Sequence, residues 1–344
     1  MSEGNAVETR VCDPLLYHAP LPYCERYYPL GFPVDVASDM REVQDAARES
    51  FGAYAARFDR PPLRVHVMTA EGGAVRPPDP VLRGQRHLLM WVSDHENFGA
   101  IDWRARFGYA CVTRATLADT VFFRWHFLDA LIYVLLELNY FSSLHAACVA
   151  WKGAGVLLYG ASGVGKSTLS YCCARRGWTY ISDDASAVVW EGGRTVIGQP
   201  HCFRFRAEAP DLFPELRGRT VGYQLGHKPT IEVYTAGLPV QTAAECRVEY
   251  IAFLDRTPGV RASITPVGRE EARARFEEDM AAYDPELDGQ RRQVLASVAE
   301  APAFELRYGD CEEGAMLLER LVGGGACGGE ACEQAGELKF AAAR

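Results

Sequence analysis

The run Gly160-Ala161-Ser162-Gly163-Val164-Gly165-Lys166-Ser167 constrains this chain more than any other feature. It meets the G-x-x-x-x-G-K-[ST] spacing of a phosphate-binding loop. The spacing has a physical basis. Glycines let the backbone curl so that successive amides point inward at phosphate oxygens. The helix that follows adds its positive end. Lys166 is a compact charge for the β- and γ-phosphates, and the Ser167 hydroxyl is a ligand suited to Mg²⁺. A chain of this length meets the pattern by accident roughly once in a hundred. The flanks tighten the reading: residues 156–159 are apolar and strand-like, and residues 166–176 form an amphipathic helical stretch that Gly177 ends. Thr168, the next residue in the helix, completes the expected nucleotide-binding set.

The rest of the chain sets bounds. Its 344 residues suggest two domains, and 48% hydrophobic with 24% charged residues is ordinary globular composition. The formal net charge is -9, without a basic stripe, which argues against nucleic acid as a partner. Residues 1–10 lack a basic region followed by an apolar run, so no secretory signal is expected. Residues 121–138 are the most apolar stretch, but Asp129 would sit mid-bilayer at a cost of about 3 kcal/mol. A buried helix is the better reading, and no membrane partner is expected. Eleven scattered cysteines, an odd number, fit a reducing cytoplasm rather than a disulfide framework. Cys172 and Cys173 read as core packing. Cys327 and Cys332 lie in a Gly-rich tail without a nearby His, short of a structural zinc set.

Pattern reading gives an α/β chain: a P-loop kinase domain with a mixed sheet flanked by helices, preceded by a smaller α+β N-terminal domain. The expected divisions are a flexible N-terminus at 1–20, the α+β domain at 21–140, the P-loop domain at 141–322, and a flexible Gly-rich tail at 323–344. In the N-terminal domain a helix is expected over 36–58, with Ser38 as N-cap. Strands are expected at 63–68, 87–92 and 109–113, a loop at 72–84, and a long helix at 121–138. In the second domain, strands are expected at 146–150, 156–159, 178–182, 188–190, 203–205, 248–254, 262–266 and 304–308. Helices are expected at 166–176, 269–283, 290–299 and 312–322.

Asp183 and Asp184 end the strand that follows the loop's helix. In a parallel arrangement that end shares an edge with the phosphate loop. Adjacent strand residues face opposite sides, so the two carboxylates divide their roles. Asp183 is expected to take or orient the proton of an acceptor hydroxyl, and Asp184 to be a metal-side ligand beside Ser167; the reverse assignment stays open. Arg204 and Arg206 share a strand face and either grip an anion or are simply solvated. Lys228 with Glu232 is a weaker pair of the same kind.

The run Leu144-His145-Ala146-Ala147, then Gly155 to Leu158, the P-loop, Arg176-Gly177 and Ser182-Asp183-Asp184 resembles the catalytic domain of HPr kinase/phosphorylase. It is closer to the HPr-kinase-like proteins of peptide-modifying systems, such as lasso-peptide kinases. The resemblance covers about residues 144–190. It implies a phosphotransferase that moves the γ-phosphate of ATP, with Mg²⁺, to a hydroxyl, serine first, of a peptide, protein or small molecule. It places His145 on the family's active-site His, Lys166 and Ser167 on its nucleotide and Mg²⁺ residues, and Asp183 on its catalytic Asp. Thr168 stands where the bacterial HPr enzymes have Glu, and their C-terminal phosphorylase signature is not recognised. Two other readings compete: an NTP-hydrolysing switch and a non-catalytic nucleotide-sensing protein. A homo-oligomer is compatible with all three.

Overall fold

The computed structural model describes residues 21–72, 76–219, 221–223, 229–280 and 284–324. The expected flexible stretch 1–20, nearly all of the tail, and Lys228, Cys327 and Cys332 lie outside the described residues. The chain divides into two compact units between Asn139 and Tyr140. Both are mixed α/β structures.

In the first unit, β1 (Tyr23–Tyr27), β2 (Val34–Ser38), α1 (Arg41–Phe51), β3 (Leu63–Ala70), β4 (Val81–Gln85), β5 (Leu88–Val92), β6 (Phe98–Asp102) and β7 (Phe107–Thr113) precede a helical run. That run comprises α2 (Arg114–Ala118), α3 (Thr120–Phe123), a π-helical turn (Arg124–Leu128) and α4 (Asp129–Glu137). The described strands form a seven-stranded sheet in the order β1-β2-β3-β7-β6-β5-β4. Strand β3 runs parallel to β2 and β7, and the other pairs are antiparallel. The helix expected over 36–58 is shorter. Residues 36–38 belong to β2, because Val34 and Val36 are wholly buried in a ladder between β1 and β3. Ser38 accepts from the Met40 amide just before α1, so its capping chemistry is used one step outside the helix. Residues 81–84, expected as loop, lie in β4 on β5, and β6 was not expected. Residues 121–137 are helical and carry buried Phe122, Phe123, Phe127, Leu131, Leu135 and Leu136. Among the described residues no helix is long and apolar enough to cross a membrane.

The second unit begins with β8 (Phe141–Leu144), β9 (Ala146–Trp151), β10 (Ala154–Tyr159), α5 (Lys166–Arg175), β11 (Thr179–Ser182), β12 (Ser186–Val189) and β13 (Thr195–Ile197). It continues with β14 (Cys202–Arg206), α6 (Ala209–Leu212), β15 (Val221–Tyr223), β16 (Pro229–Tyr234), β17 (Gln241–Thr242) and β18 (Glu245–Arg256). Strand β19 (Ser263–Val267), α7 (Arg269–Glu278), α8 (Pro285–Val298), β20 (Ala303–Tyr308) and α9 (Cys311–Gly324) close it. The larger sheet runs β17-β11-β9-β10-β18-β13-β12-β8, with β20 joined to β18 and β19 to β20. Strands β14, β16 and β15 form a separate small antiparallel sheet.

Strand direction positions the site. Strand β10 is parallel to β18, and β18 to β20. Strand β9 is antiparallel to both β10 and β11, so β11 runs the same way as β10. The C-terminal ends of β10, β11, β18 and β20 therefore share one rim with the start of β9. Strand β10 is buried on both faces, which explains its unbroken Val-Leu-Leu-Tyr run. Val156 and Leu158 pack with Leu169 of α5, Trp178 and Leu318 of α9. Leu157 and Tyr159 pack with Phe276 of α7 and Val294, Leu295 and Val298 of α8. Cys172 and Cys173 are fully buried core residues, as expected.

Candidate active site

The loop from Gly160 to Gly165 joins the end of β10 to the start of α5. Gly160, Gly163 and Gly165 hold φ of 155°, 91° and 103°, a region that L side chains rarely adopt. The bend is thus built where the sequence concentrates glycine. Ala161, Ser162 and Gly163 are exposed, Val164 is half-buried, and Ser167 and Thr168 occupy the first turn of α5. The helix's early amides have no intrahelical acceptor and face the loop's concavity.

Lys166 is buried, and its Nζ donates to the Gly160 carbonyl at 2.6 Å and the Ala161 carbonyl at 3.2 Å. Burial lowers its pKa; the charges of Asp184 and Asp279 oppose this and that of Arg206 adds to it. Asp279, at the C-cap of α7, is held by the Tyr159 hydroxyl from the last residue of β10. A lysine folded onto its own loop is within reach of the space that phosphates would fill.

His145 directly precedes β9, and Asp183-Asp184 directly follow β11, so the antiparallel pairing brings them to one place. His145 Nδ1 lies 3.2 Å from Asp184 Oδ1, and about half of each side chain is exposed. Asp183 faces the other way. It is 3% exposed, and its Oδ2 accepts from the Arg204 amide at the small sheet. Burial pushes its pKa up to about 6, against the pull of the Arg204 guanidinium and amide. Arg204 also donates to Glu232 at 3.2 Å. The two adjacent carboxylates therefore differ sharply in burial. Asp183 is a latch between β11 and β14, and Asp184 is the carboxylate beside His145 and Lys166.

Sequence reasoning passed over the groups contributed by β18 and β20. Arg256 and Tyr308 are register partners at the ends of these strands. The Tyr308 hydroxyl donates to the Val164 carbonyl at 3.2 Å, and burial raises its pKa, keeping it a donor. A Cβ at Gly165 would meet Tyr308 Oη at 2.9 Å and Arg256 Cδ at 3.4 Å. The usable signal was positional: both residues end strands that the sequence does mark, on the rim that carries the loop. Ser167 and Asp184 offer hard oxygen ligands, a donor set that fits Mg²⁺ rather than a softer metal.

Comparison with known proteins falls on this region. A family model described as HPr Serine kinase C-terminal domain matches residues 137–206, from the end of α4 through β14. Among individual proteins, the HPr kinase/phosphorylase of Lactobacillus acidophilus is 45% identical over 58 residues, 17% of this chain and 18% of that protein. The HPr kinase/phosphorylase of Prosthecochloris aestuarii is 30% identical over 107 residues, 31% of this chain and 28% of that protein. The matched segments thus span less than a third of either relative. The solved Hpr(Ser) kinase/phosphatase from Coxiella burnetii aligns at 15% identity with a TM-score of 0.28, over 54% of this chain and 96% of that one. The resemblance read from His145, the loop and the acidic pair is thereby shown, and it lies on the segment that builds this rim.

Proposed function

We propose that the chain is an ATP- and Mg²⁺-dependent kinase of the HPr-kinase-like group. It transfers a γ-phosphate to a hydroxyl, serine first, of a peptide, protein or small molecule. One observation carries this reading: the glycine loop, Lys166 and the His145–Asp184 pair meet on a single rim, at 3.2 Å for the pair. Phosphoryl transfer needs mainly positioning and charge stabilisation, and this rim offers both.

The loop amides and Lys166 hold the triphosphate, with Gly160 to Thr168 as the cradle. Ser167 and Asp184 would hold Mg²⁺, which supplies charge neutralisation on the phosphate oxygens when bound. Asp184 Oδ1, 3.2 Å from His145 Nδ1, favours a proton on that nitrogen and so leaves Nε2 to take the proton of the acceptor hydroxyl. In this assignment Asp184 keeps the metal-side role first expected of it, and the proton-accepting role first expected of Asp183 passes to His145. A carboxylate sealed against the Arg204 amide cannot meet a substrate, whereas Asp184 is open. The reaction takes place in the cytoplasm.

The test is a transfer assay with γ-labelled Mg·ATP against Ser-containing peptides, free serine and cell lysate. Label on a hydroxyl acceptor is the expected result. Label found only as free phosphate would mean a hydrolytic switch, and no uptake of Mg·ATP would remove the nucleotide reading altogether.

A further inference from the structure

The last residue of β14 is Arg206, and its side chain reaches the tip of the phosphate loop. Its Nη2 donates to Ser162 Oγ at 3.4 Å and lies 3.3 Å from where a Cβ on Gly163 would stand. Arg206 is exposed, and among the described residues it has no carboxylate within ion-pair distance. Its charge is felt at Lys166, where Asp184 and Asp279 act in the opposite sense, and with Arg256 beside Gly165 three cations converge on the loop. Like charges brought together on a glycine bend are stable when an anion lies between them.

The fold fixes this guanidinium from behind. Asp183 accepts from the Arg204 amide, which ties β14 to the end of β11. Phe205 is buried against Tyr171 of the loop's own helix and against Phe213. Arg204 and Arg206 share a face, and their register partners on β16 are Glu232 and Thr230. Arg204 is neutralised by Glu232 and lies beside Asp183. Arg206, one pleat further, is directed at the loop with its charge uncompensated.

We propose that Arg206 is a catalytic arginine supplied within the chain: it lies over Ser162 and Gly163 and stabilises charge on the transferring phosphoryl group. The proposal rests on the kinase reading above. In the step it serves, the acceptor oxygen forms a bond to the γ-phosphorus. The bond from that phosphorus to the β–γ bridging oxygen breaks, and its electron pair leaves with ADP. The hydroxyl proton passes to His145. Charge spreads over the three equatorial oxygens meanwhile, and a planar guanidinium matches them in a way an ammonium does not. Asp183 becomes a positioning residue, acting through Arg204 and β14.

The test compares binding of Mg·ADP alone with binding of Mg·ADP plus aluminium fluoride, a planar mimic of the phosphoryl group in flight. It uses the full chain and Arg206→Ala and Arg206→Lys variants. For Arg206→Ala, affinity for the mimic complex falls on the order of 10²-fold, as for loss of one preorganised donor to a transition state. Affinity for Mg·ADP changes by less than about threefold, because uniform binding is untouched. Arg206→Lys recovers only part of the loss, and added guanidinium ion restores part of the Arg206→Ala deficit. Equal loss of ADP and mimic, or no loss of either, overturns the proposal. A wild-type chain that binds ADP and mimic while Arg206→Ala binds both as tightly removes this proposal and leaves the kinase reading standing. A wild-type chain that takes up no ADP removes both.

Discussion

The two rims of the sheet in the second unit are made from the same strands but use their residues differently. On one rim, Lys152 and Gly153 turn β9 into β10 with φ of 51° and 89°, and Gly177 turns α5 towards β11 with φ of 90°. A Cβ at Gly153 or Gly177 would meet nothing within 4 Å. On the other rim, each glycine of the phosphate loop has a neighbour close by: Val164 at Gly160, Arg206 at Gly163, and Tyr308 with Arg256 at Gly165. Positive φ alone therefore says only that the chain turns. Positive φ with a hydroxyl or guanidinium pressed against the missing Cβ marks backbone kept bare so that something can approach it.

The sharpest way to break this comparison is at Asp184. Asp184→Asn keeps the shape and removes the charge that pairs with His145 and offsets Lys166. Hydroxyl phosphorylation is expected to fall on the order of 10³-fold at saturating Mg·ATP, the usual scale for losing positioned acid–base chemistry. Transfer kinetics beside an ADP titration would check it. Unchanged transfer would mean that the paired histidine and carboxylate are ordinary surface groups.

Asp183 offers the next largest effect, and it is one of stability. Its folded pKa of about 6 lies above its ordinary 3.8. The folded chain thus binds this proton more tightly than the unfolded chain. The stability gained is complete below about pH 3.8 and is lost as pH rises through about 6. A shift of about two units corresponds to about 3 kcal/mol. Asp183→Asn should have no such dependence, because a neutral amide still accepts from the Arg204 amide. Urea unfolding of both proteins from pH 4.5 to 7.5 should show wild type losing about 2 kcal/mol of that relative to the variant. Parallel curves would show that the carboxylate is not sealed.

These two residues also show how much was legible beforehand. The strand–loop–helix at 156–175 could be read because hydrophobic run, glycine spacing and helix pattern are all local. That Asp183 and Asp184 differ could be read from strand alternation, but which one is buried could not. That choice is made by β14, paired with β16 and tied back by the Arg204 amide. His145 was reached through resemblance rather than periodicity, because its place on the rim depends on β9 running antiparallel to both of its neighbours. Tyr308 and Arg256 were passed over for a similar reason. Their approach to Gly165 comes from the parallel pairing of β18 with β20, with two helices between them in the sequence. In the first unit, the helix pattern of 41–51 was extended back over β2, whose alternation is short and whose burial needs strands on both sides.

The smallest effects separate the rims most cleanly, because the same substitution is made on each. Gly165→Ala places a methyl 2.9 Å from Tyr308 Oη in a residue whose φ is 103°. Either the tyrosine gives up its bond to the Val164 carbonyl or the loop shifts, and both outcomes disturb the phosphate cradle. A stability loss of about 2 kcal/mol is expected from strained backbone and contact together, with nucleotide affinity reduced about tenfold or more. Gly153→Ala carries the backbone cost alone, about 1 kcal/mol, since the added methyl points into open space. Nucleotide affinity should not change. Measuring unfolding and Mg·ADP binding for the pair isolates what is particular to the functional rim. If both variants lose affinity alike, the glycines serve only the turn, and the close approach of Tyr308 and Arg256 to Gly165 has no bearing on ligand binding. If only Gly165→Ala does, the bare backbone at α5's entrance is there for the ligand.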